Sequence, residues 1–188
     1  MNITRLAGRA VIGSLFVGHG TQKLFGWFDG PGLDGTGGMM QSLEMHPARR
    51  NAWAAGVTET AGGALLAVGL ATPLASAALI GTMITAIRKV HLPNGPWAAN
   101  GGYEFNLVLI AALLSLAEDG PGDVSVDALS GREMSGLKWA IAALALGATA
   151  STLAVELGRR SAPAAEPTDT DESSPYDDTA GDPVTSSS

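Results

Sequence analysis

Five hydrophobic stretches, residues 4–26, 52–71, 74–91, 103–117 and 137–157, leave this chain of 188 residues few folds to choose from. A helix rises about 1.5 Å per residue, so roughly twenty apolar residues cross the hydrocarbon core of a bilayer. Charged residues make up only 15% of the sequence, against roughly 25% in soluble domains. The expectation is an all-α integral membrane protein: an antiparallel four-helix transmembrane bundle, a fifth C-terminal transmembrane helix and a disordered acidic tail. Its organisation reads as a membrane domain over residues 1–128, a linker with the fifth helix over 129–160, and the tail over 161–188.

The punctuation between the stretches supports this order. Residues 29–38 carry too much glycine for regular structure, and a short helix is expected at 39–45. Thr72-Pro73 both ends the second helix and starts the third, which makes a tight hairpin. Pro93, Gly95, Pro96, Gly101 and Gly102 then break the chain before a fourth helix whose apolar part is short, so its polar beginning should sit at membrane depth. An acidic loop over 118–127 leads to a short amphipathic piece. Glycines recur within the spans, where small residues let helix backbones approach closely.

The net charge of −7 resides in the tail, where Glu166, Asp169, Asp171, Glu172, Asp177, Asp178 and Asp182 face no basic residue. This acidity carries no message about nucleic acid, and none is expected as a partner. There is no cysteine, which excludes disulfides, thiol nucleophiles and Cys-ligated metal clusters, so redox work would need a bound cofactor or a partner protein. Arg5 and Arg9 before an apolar core outline a signal peptide. No small-x-small cleavage site precedes His19, however, and an uncleaved first helix fits better.

Antiparallel topology makes one deduction that holds in either orientation. The end of the first helix, the start of the second, the end of the third and the start of the fourth share one side. That side holds His19, Gln22, Lys23, Thr58, Glu59, Arg88, Lys89, His91, Tyr103, Glu104 and Asn106, whereas the other side of these four helices has Arg5, Arg9, Thr72 and little else. His19 and Glu59 should lie at matching depth, about 10 Å in from their helix ends. His19 and Lys23, four residues apart, share a face from which both could address Glu59. Glu104 could pair with Arg88, Lys89 or His91.

Two readings of this cluster stand side by side. Ion pairs can simply specify how helices pack. Alternatively, ionisable groups inside a membrane mark a ligand pocket or proton path, and a histidine–lysine–carboxylate set can donate to a carbonyl oxygen and pass a proton, as quinone reduction requires. A metal site from His19, Glu59 and His91 has donors of the right type but no spacing motif. His46 reads as a surface residue.

The runs Gly18-His19-Gly20-Thr21-Gln22-Lys23-Leu24-Phe25-Gly26, Glu59-Thr60-Ala61-Gly62-Gly63, Gly69-Leu70-Ala71-Thr72-Pro73, Val90-His91, Gly101-Gly102-Tyr103-Glu104-Phe105 and Gly120-Pro121-Gly122 together resemble the DoxX family of small bacterial membrane proteins. The resemblance covers about residues 3–128. It implies a four-helix membrane bundle, kinship with the DoxD subunit of thiosulfate:quinone oxidoreductase, and a role in membrane-linked redox, sulfur or oxidative-stress chemistry. Motif positions carried over are His19, Lys23, Glu59, His91, Tyr103 and Glu104. The fifth helix and the tail depart from the simplest family pattern.

The expected function is therefore a membrane subunit of a quinone-linked oxidoreductase system. His19, Lys23 and Glu59 would do the proton chemistry, while Arg88, His91, Tyr103 and Glu104 would help bind the cofactor. Electrons would come from a partner protein, and the subunit could form a homo-oligomer. A non-catalytic scaffold that recruits soluble redox partners through its tail is the alternative, and a small-solute transporter is a third reading, weakened by the lack of an inverted repeat. Seven basic residues, Lys23, Arg49, Arg50, Arg88, Lys89, Arg159 and Arg160, lie on the cluster's side against four, Arg5, Arg9, Arg132 and Lys138, on the other. The positive-inside rule then places cluster and tail on the cytoplasmic face of the bacterial plasma membrane.

Overall fold

A computed structural model describes residues 3–132 and 134–162. Among them the chain is all helical: α1 (Ile3–Phe25), α2 (Gly32–Ser42), α3 (Ala48–Val68), α4 (Thr72–Ala86), α5 (Glu104–Asp119), α6 (Val126–Leu129) and α7 (Leu137–Arg160). From residue 163 on, the expected acidic tail lies outside the described residues.

Helices α1, α3, α4 and α5 close a ring, with α1 on α3, α3 on α4, α4 on α5 and α5 back on α1. Its core includes Phe16, Leu66, Leu79, Leu113 and Leu116, while Ile80 packs toward Gly147 of α7. Helix α7 lies against the outside of α4 and α5, and α2 against α1 and α3. Touched from three directions, α4 buries residues all round, from Thr72 to Met83, which is how a central helix differs from a one-sided amphipathic one.

Glycine sets the closest contact. In α1 the buried positions Arg9, Gly13, Phe16 and Gly20 repeat at helical spacing, and α3 presents Gly56, Glu59, Gly63 and Leu66 in the same way. A Cβ on Gly13 would lie 2.5 Å from the carbonyl oxygen of Gly63, and one on Gly20 2.5 Å from the amide of Thr60. The two backbones therefore touch, an approach only small residues permit. Gly147 does the same for α7, where a Cβ would lie 2.8 Å from the carbonyl oxygen of Ala77 in α4. Gly18, by contrast, faces open space.

The hairpin between α3 and α4 is built as its sequence suggests. Gly69 adopts φ 68° past the end of α3, the amide of Leu70 reaches back to the carbonyl of Leu65 at 2.9 Å, and Pro73 sits in the first turn of α4. This is the glycine-terminated helix end followed by a proline-started helix.

Residues 29–38 correct the expectation of irregular chain. Trp27–Asp29 form a 3₁₀ turn and α2 begins at Gly32, seven residues before the helix expected at 39–45. Each glycine in a helix costs up to about 1 kcal/mol relative to alanine, but tertiary contacts outweigh that here. Thr36, 1% exposed, is wedged under α2, its hydroxyl donating to the carbonyls of Gly32 at 2.7 Å and Lys23 at 3.3 Å. Helix α2 thereby clamps the end of α1.

Two helical stretches, Thr72–Asn94 and Leu137–Arg160, are long and apolar enough to cross a membrane. Helix α5, with 16 residues, is too short by that measure, and α1 and α3 carry glycine and charge along their lengths.

Candidate functional site

The polar groups at the end of the bundle where α1 finishes and α3 begins, the His19 end, divide into separate contacts. Lys23 and Glu59 meet: Nζ donates to Oε2 at 2.5 Å, with side-chain exposures of 22% and 6%. Glu59 lies on the buried stripe of α3, between Gly56 and Gly63. Side chains on a helix lean toward its N-terminus, so Lys23 reaches back to the level of Gly20, opposite Glu59. The partly buried charge of each is thus met by the other, without which the desolvation cost would be several kcal/mol.

His19 does not join them, which corrects the expectation that both basic groups address Glu59. At about 100° per residue His19 lies about 40° further round α1 than Lys23, and its backward lean carries it away from the carboxylate. It is exposed on the flank of the bundle, with Nδ1 3.1 Å from Oε1 of Gln22. Gln22 in turn donates through Nε2 to the carbonyl of Phe28 at 3.3 Å. A carbonyl only accepts, so this bond turns the amide oxygen of Gln22 toward His19 and makes Nδ1 a donor. Neutral His19 then presents Nε2 as a proton acceptor; protonated, it presents a donor.

Aromatic residues follow where α1 ends. Gly26 ends α1 with φ 72°, and Phe28 and Asp29 follow at φ 53° and 57°, a left-handed turn unusual for non-glycine residues that Gln22 helps to hold. Phe25, Trp27 and Phe28 are exposed there and touch in sequence, the first pair tilted and the second edge-to-face, with centroids 5.4 and 6.5 Å apart.

Of the remaining expected site residues, His91, Glu104 and Tyr103 serve the chain between α4 and α5. His91 donates from Nδ1 to the carbonyl of Gly101 at 2.7 Å, and Glu104 accepts from the amide of Ala98 at 2.8 Å. Tyr103 precedes α5, half-buried, its amide bonded to the carbonyl of Gly95 at 3.2 Å. Arg88, in the π-helical turn Ile87–His91 that continues α4, reaches the hydroxyls of Ser151 at 3.5 Å and Thr152 at 3.4 Å on α7. The pairing expected between Glu104 and Arg88, Lys89 or His91 is therefore not made. The reason is local: a loop rich in Gly and Pro has backbone groups to satisfy, and the His91 and Glu104 side chains satisfy two of them. Nor do His19, Glu59 and His91 gather as metal ligands, and among the described residues no group of three such side chains converges. His46 is half-buried, its amide on the carbonyl of Gly158 at 3.3 Å, which seats the end of α7 beside the start of α3.

The opposite end, the Arg9 end, expected to hold little beyond Arg5, Arg9 and Thr72 and no site residue, buries two charged groups. Arg9 is 1% exposed and Asp127 0%. Arg9 donates from Nη2 to the carbonyl of Val124 at 2.5 Å, and a Cβ on Gly69 would collide with its Nη1. Asp127 accepts from the Thr72 amide at 3.3 Å, at the start of α4, and its own amide binds the carbonyl of Gly69 at 3.0 Å. One signal could have found Arg9: it stands four residues before Gly13 and seven before Phe16, on the same small-residue stripe that buries Gly20. Asp127 has no such periodic signature.

The DoxX family model matches residues 4–92, which takes in His19, Lys23, Glu59, Arg88 and His91 and stops before Tyr103, Glu104 and Gly120-Pro121-Gly122. No curated protein and no solved structure matches the chain. The matched segment is the one that builds both the glycine-lined α1–α3 contact and the buried Lys23–Glu59 pair, and residues 4–92 form a DoxX segment, a family generally of membrane proteins linked to redox systems.

Proposed function

We propose that this protein is a membrane subunit of a quinone-linked redox system, with its headgroup site on the flank of α1 at the His19 end. The observation that carries the reading is the pairing of two unlike arrangements one helical turn apart: a partly buried ion pair, Lys23–Glu59, and an exposed imidazole whose Nε2 has no partner among the described residues. The rings of Phe25, Trp27 and Phe28, exposed at the same end of α1, offer apolar surface to a flat headgroup, and Nε2 offers one polar contact to its oxygen. That combination of a few polar groups on an apolar surface suits a small-molecule site.

A bound quinone would supply two-electron, two-proton redox chemistry. His19 would exchange a proton at Nε2, with Gln22 holding the tautomer through Nδ1. Lys23 and Glu59 would keep a positive and a negative charge fixed behind it, and Nζ of Lys23 could exchange protons with the same locus. Electrons would come from a partner protein, since the chain has no cysteine.

In this reading five helices, α1, α3, α4, α5 and α7, cross the bacterial plasma membrane, with the end of α7 cytoplasmic by the count of basic residues. Leu15, Leu74, Phe105, Val108, Ile141 and Leu153 are exposed around the outside of the bundle, where lipid chains would cover them. Trp27, Trp53 and Trp97 are exposed near its His19 end, where headgroups attract tryptophan.

The test is quinone-dependent redox activity in native membranes. His19→Ala and Glu59→Gln should both abolish it at undiminished protein level, and activity equal to that of the unaltered protein would refute the assignment.

A further inference from the structure

Arg88 stands on the π-helical turn that continues α4 and is exposed, with one edge of its guanidinium fixed and the other open. Nη1 donates to the hydroxyls of Ser151 at 3.5 Å and Thr152 at 3.4 Å on α7. Ser151 is 1% exposed, and its Oγ lies 2.9 Å from Oγ1 of Thr85, which is 2.8 Å from the carbonyl of Gly81. A carbonyl only accepts, so Thr85 gives its one hydroxyl proton to Gly81, Ser151 gives its own to Thr85, and the Ser151 oxygen is left to accept from Arg88. Buried hydroxyls thus hold the guanidinium by Nη1. Nε and Nη2, the edge that grips two oxygens side by side, have no partner among the described residues.

The acids at this end of α4, α5 and α7 are engaged elsewhere. Glu156 takes Arg159 at 3.0 and 3.2 Å and Arg160 at 2.6 Å, and Glu104 takes the amide of Ala98. Arg88, Lys89, Arg159 and Arg160 therefore face two carboxylates, and the surplus charge is positive. The two stretches that carry these cations, Thr72–Asn94 and Leu137–Arg160, are long and apolar enough to cross a membrane. Ser151 precedes Arg160 by nine residues, about 13 Å along α7, so the partner of the open edge comes from the lipid side. An ion at such depth draws headgroups and water inward. Helix α5, packed on both α4 and α7, has 16 residues and spans about 24 Å, and a span shorter than the hydrocarbon core thins the bilayer beside it. Leu146, Leu153 and Leu157 of α7 are exposed for acyl chains to cover.

We propose that Arg88 binds the phosphate of an anionic phospholipid seated along the line where α4 meets α7. A phosphodiester presents two unesterified oxygens, which match the Nε–Nη2 edge, and the surplus of cations favours a headgroup of net negative charge over a zwitterionic one. Such a site requires α4 and α7 to cross the bilayer, as in the proposed membrane reading, and shares no residue with the quinone site.

The experiment places the full chain in phosphatidylcholine nanodiscs doped with phosphatidylglycerol and counts, by native mass spectrometry, the lipid that stays with the protein on release. The unaltered protein should retain phosphatidylglycerol in preference to phosphatidylcholine. Arg88→Gln, at an exposed position, should weaken that retention by about tenfold or more. Arg88→Lys, which keeps the charge without the fork, should recover only part of it, and Arg132→Gln at the Arg9 end should retain as much as the unaltered protein. Equal retention in Arg88→Gln or full retention in Arg88→Lys overturns the proposal, and so does an equal loss in Arg132→Gln. Loss of dimer in place of lipid in the Arg88→Gln spectra would give the guanidinium to a second copy and overturn it too. A chain that does not enter the discs refutes the membrane-crossing reading as well, whereas entry with retention independent of Arg88 refutes the lipid site alone.

Discussion

The two ends of the bundle solve the same problem in opposite ways. Each places a charged residue on a stripe of small residues that brings helices into backbone contact: Glu59 between Gly56 and Gly63 on α3, Arg9 just before Gly13 on α1. Glu59 faces a neighbouring helix that offers Lys23, and the pair is complete at 2.5 Å. Arg9 faces the chain after α5, which offers one carbonyl and a carboxylate out of contact, and two of its nitrogens have no partner among the described residues. A matched ion pair fixes structure, and the imidazole on the flank, held by Gln22, takes no part in it.

This difference can be broken experimentally, beginning where the effect is greatest. Glu59→Leu should destabilise the protein by about 3–5 kcal/mol because Lys23 loses its partner, and the double replacement Lys23→Met with Glu59→Leu should recover much of that loss; chemical denaturation in detergent measures both, and a single variant as mild as the double would mean that the pair is not desolvated. Next comes the contact that brings α1 and α3 together. Gly20→Ala puts a Cβ against the Thr60 amide and should cost about 1–3 kcal/mol, whereas Gly18→Ala, in open space, should be nearly neutral by thermal melting. Asp127→Asn sharpens the contrast between ends: it keeps an acceptor for the Thr72 amide and removes only a charge that Arg9 does not touch, so a loss of about 1 kcal/mol is expected, well below that of Glu59→Leu. Smallest of all, Asp34→Ala breaks an ion pair with Arg49 that is 93% and 71% exposed, and should shift stability by less than about 1 kcal/mol.

Much of this architecture was legible before any coordinates. Hydrophobic length and the Pro and Gly breaks located α1, α3, α4, α5 and α7, and antiparallel alternation gathered His19, Lys23, Glu59, His91 and Glu104 at one end. Sidedness follows from the order of the helices and their lengths. Angle does not. Whether His19 or Lys23 meets Glu59 depends on some 40° of rotation and on the backward lean of helical side chains, and the clue lay in the glycine stripe, which marks the contact face. Glycine misled in α2, because composition predicts a free chain while Thr36, anchored on Lys23, shows packing overriding propensity. Asp127 was illegible for a different reason: its contacts to Gly69 and Thr72 span more than fifty residues, and no local pattern announces them.

The most direct test of the central claim, that the flank of α1 beside a closed ion pair is a quinone site, is the amount of quinone that copurifies with the protein in nanodiscs. The unaltered protein should retain quinone, and His19→Ala should lose it while keeping the same thermal midpoint, because the exposed imidazole bonds only within its own helix. Equal quinone in both proteins, or none in either, would contradict the account.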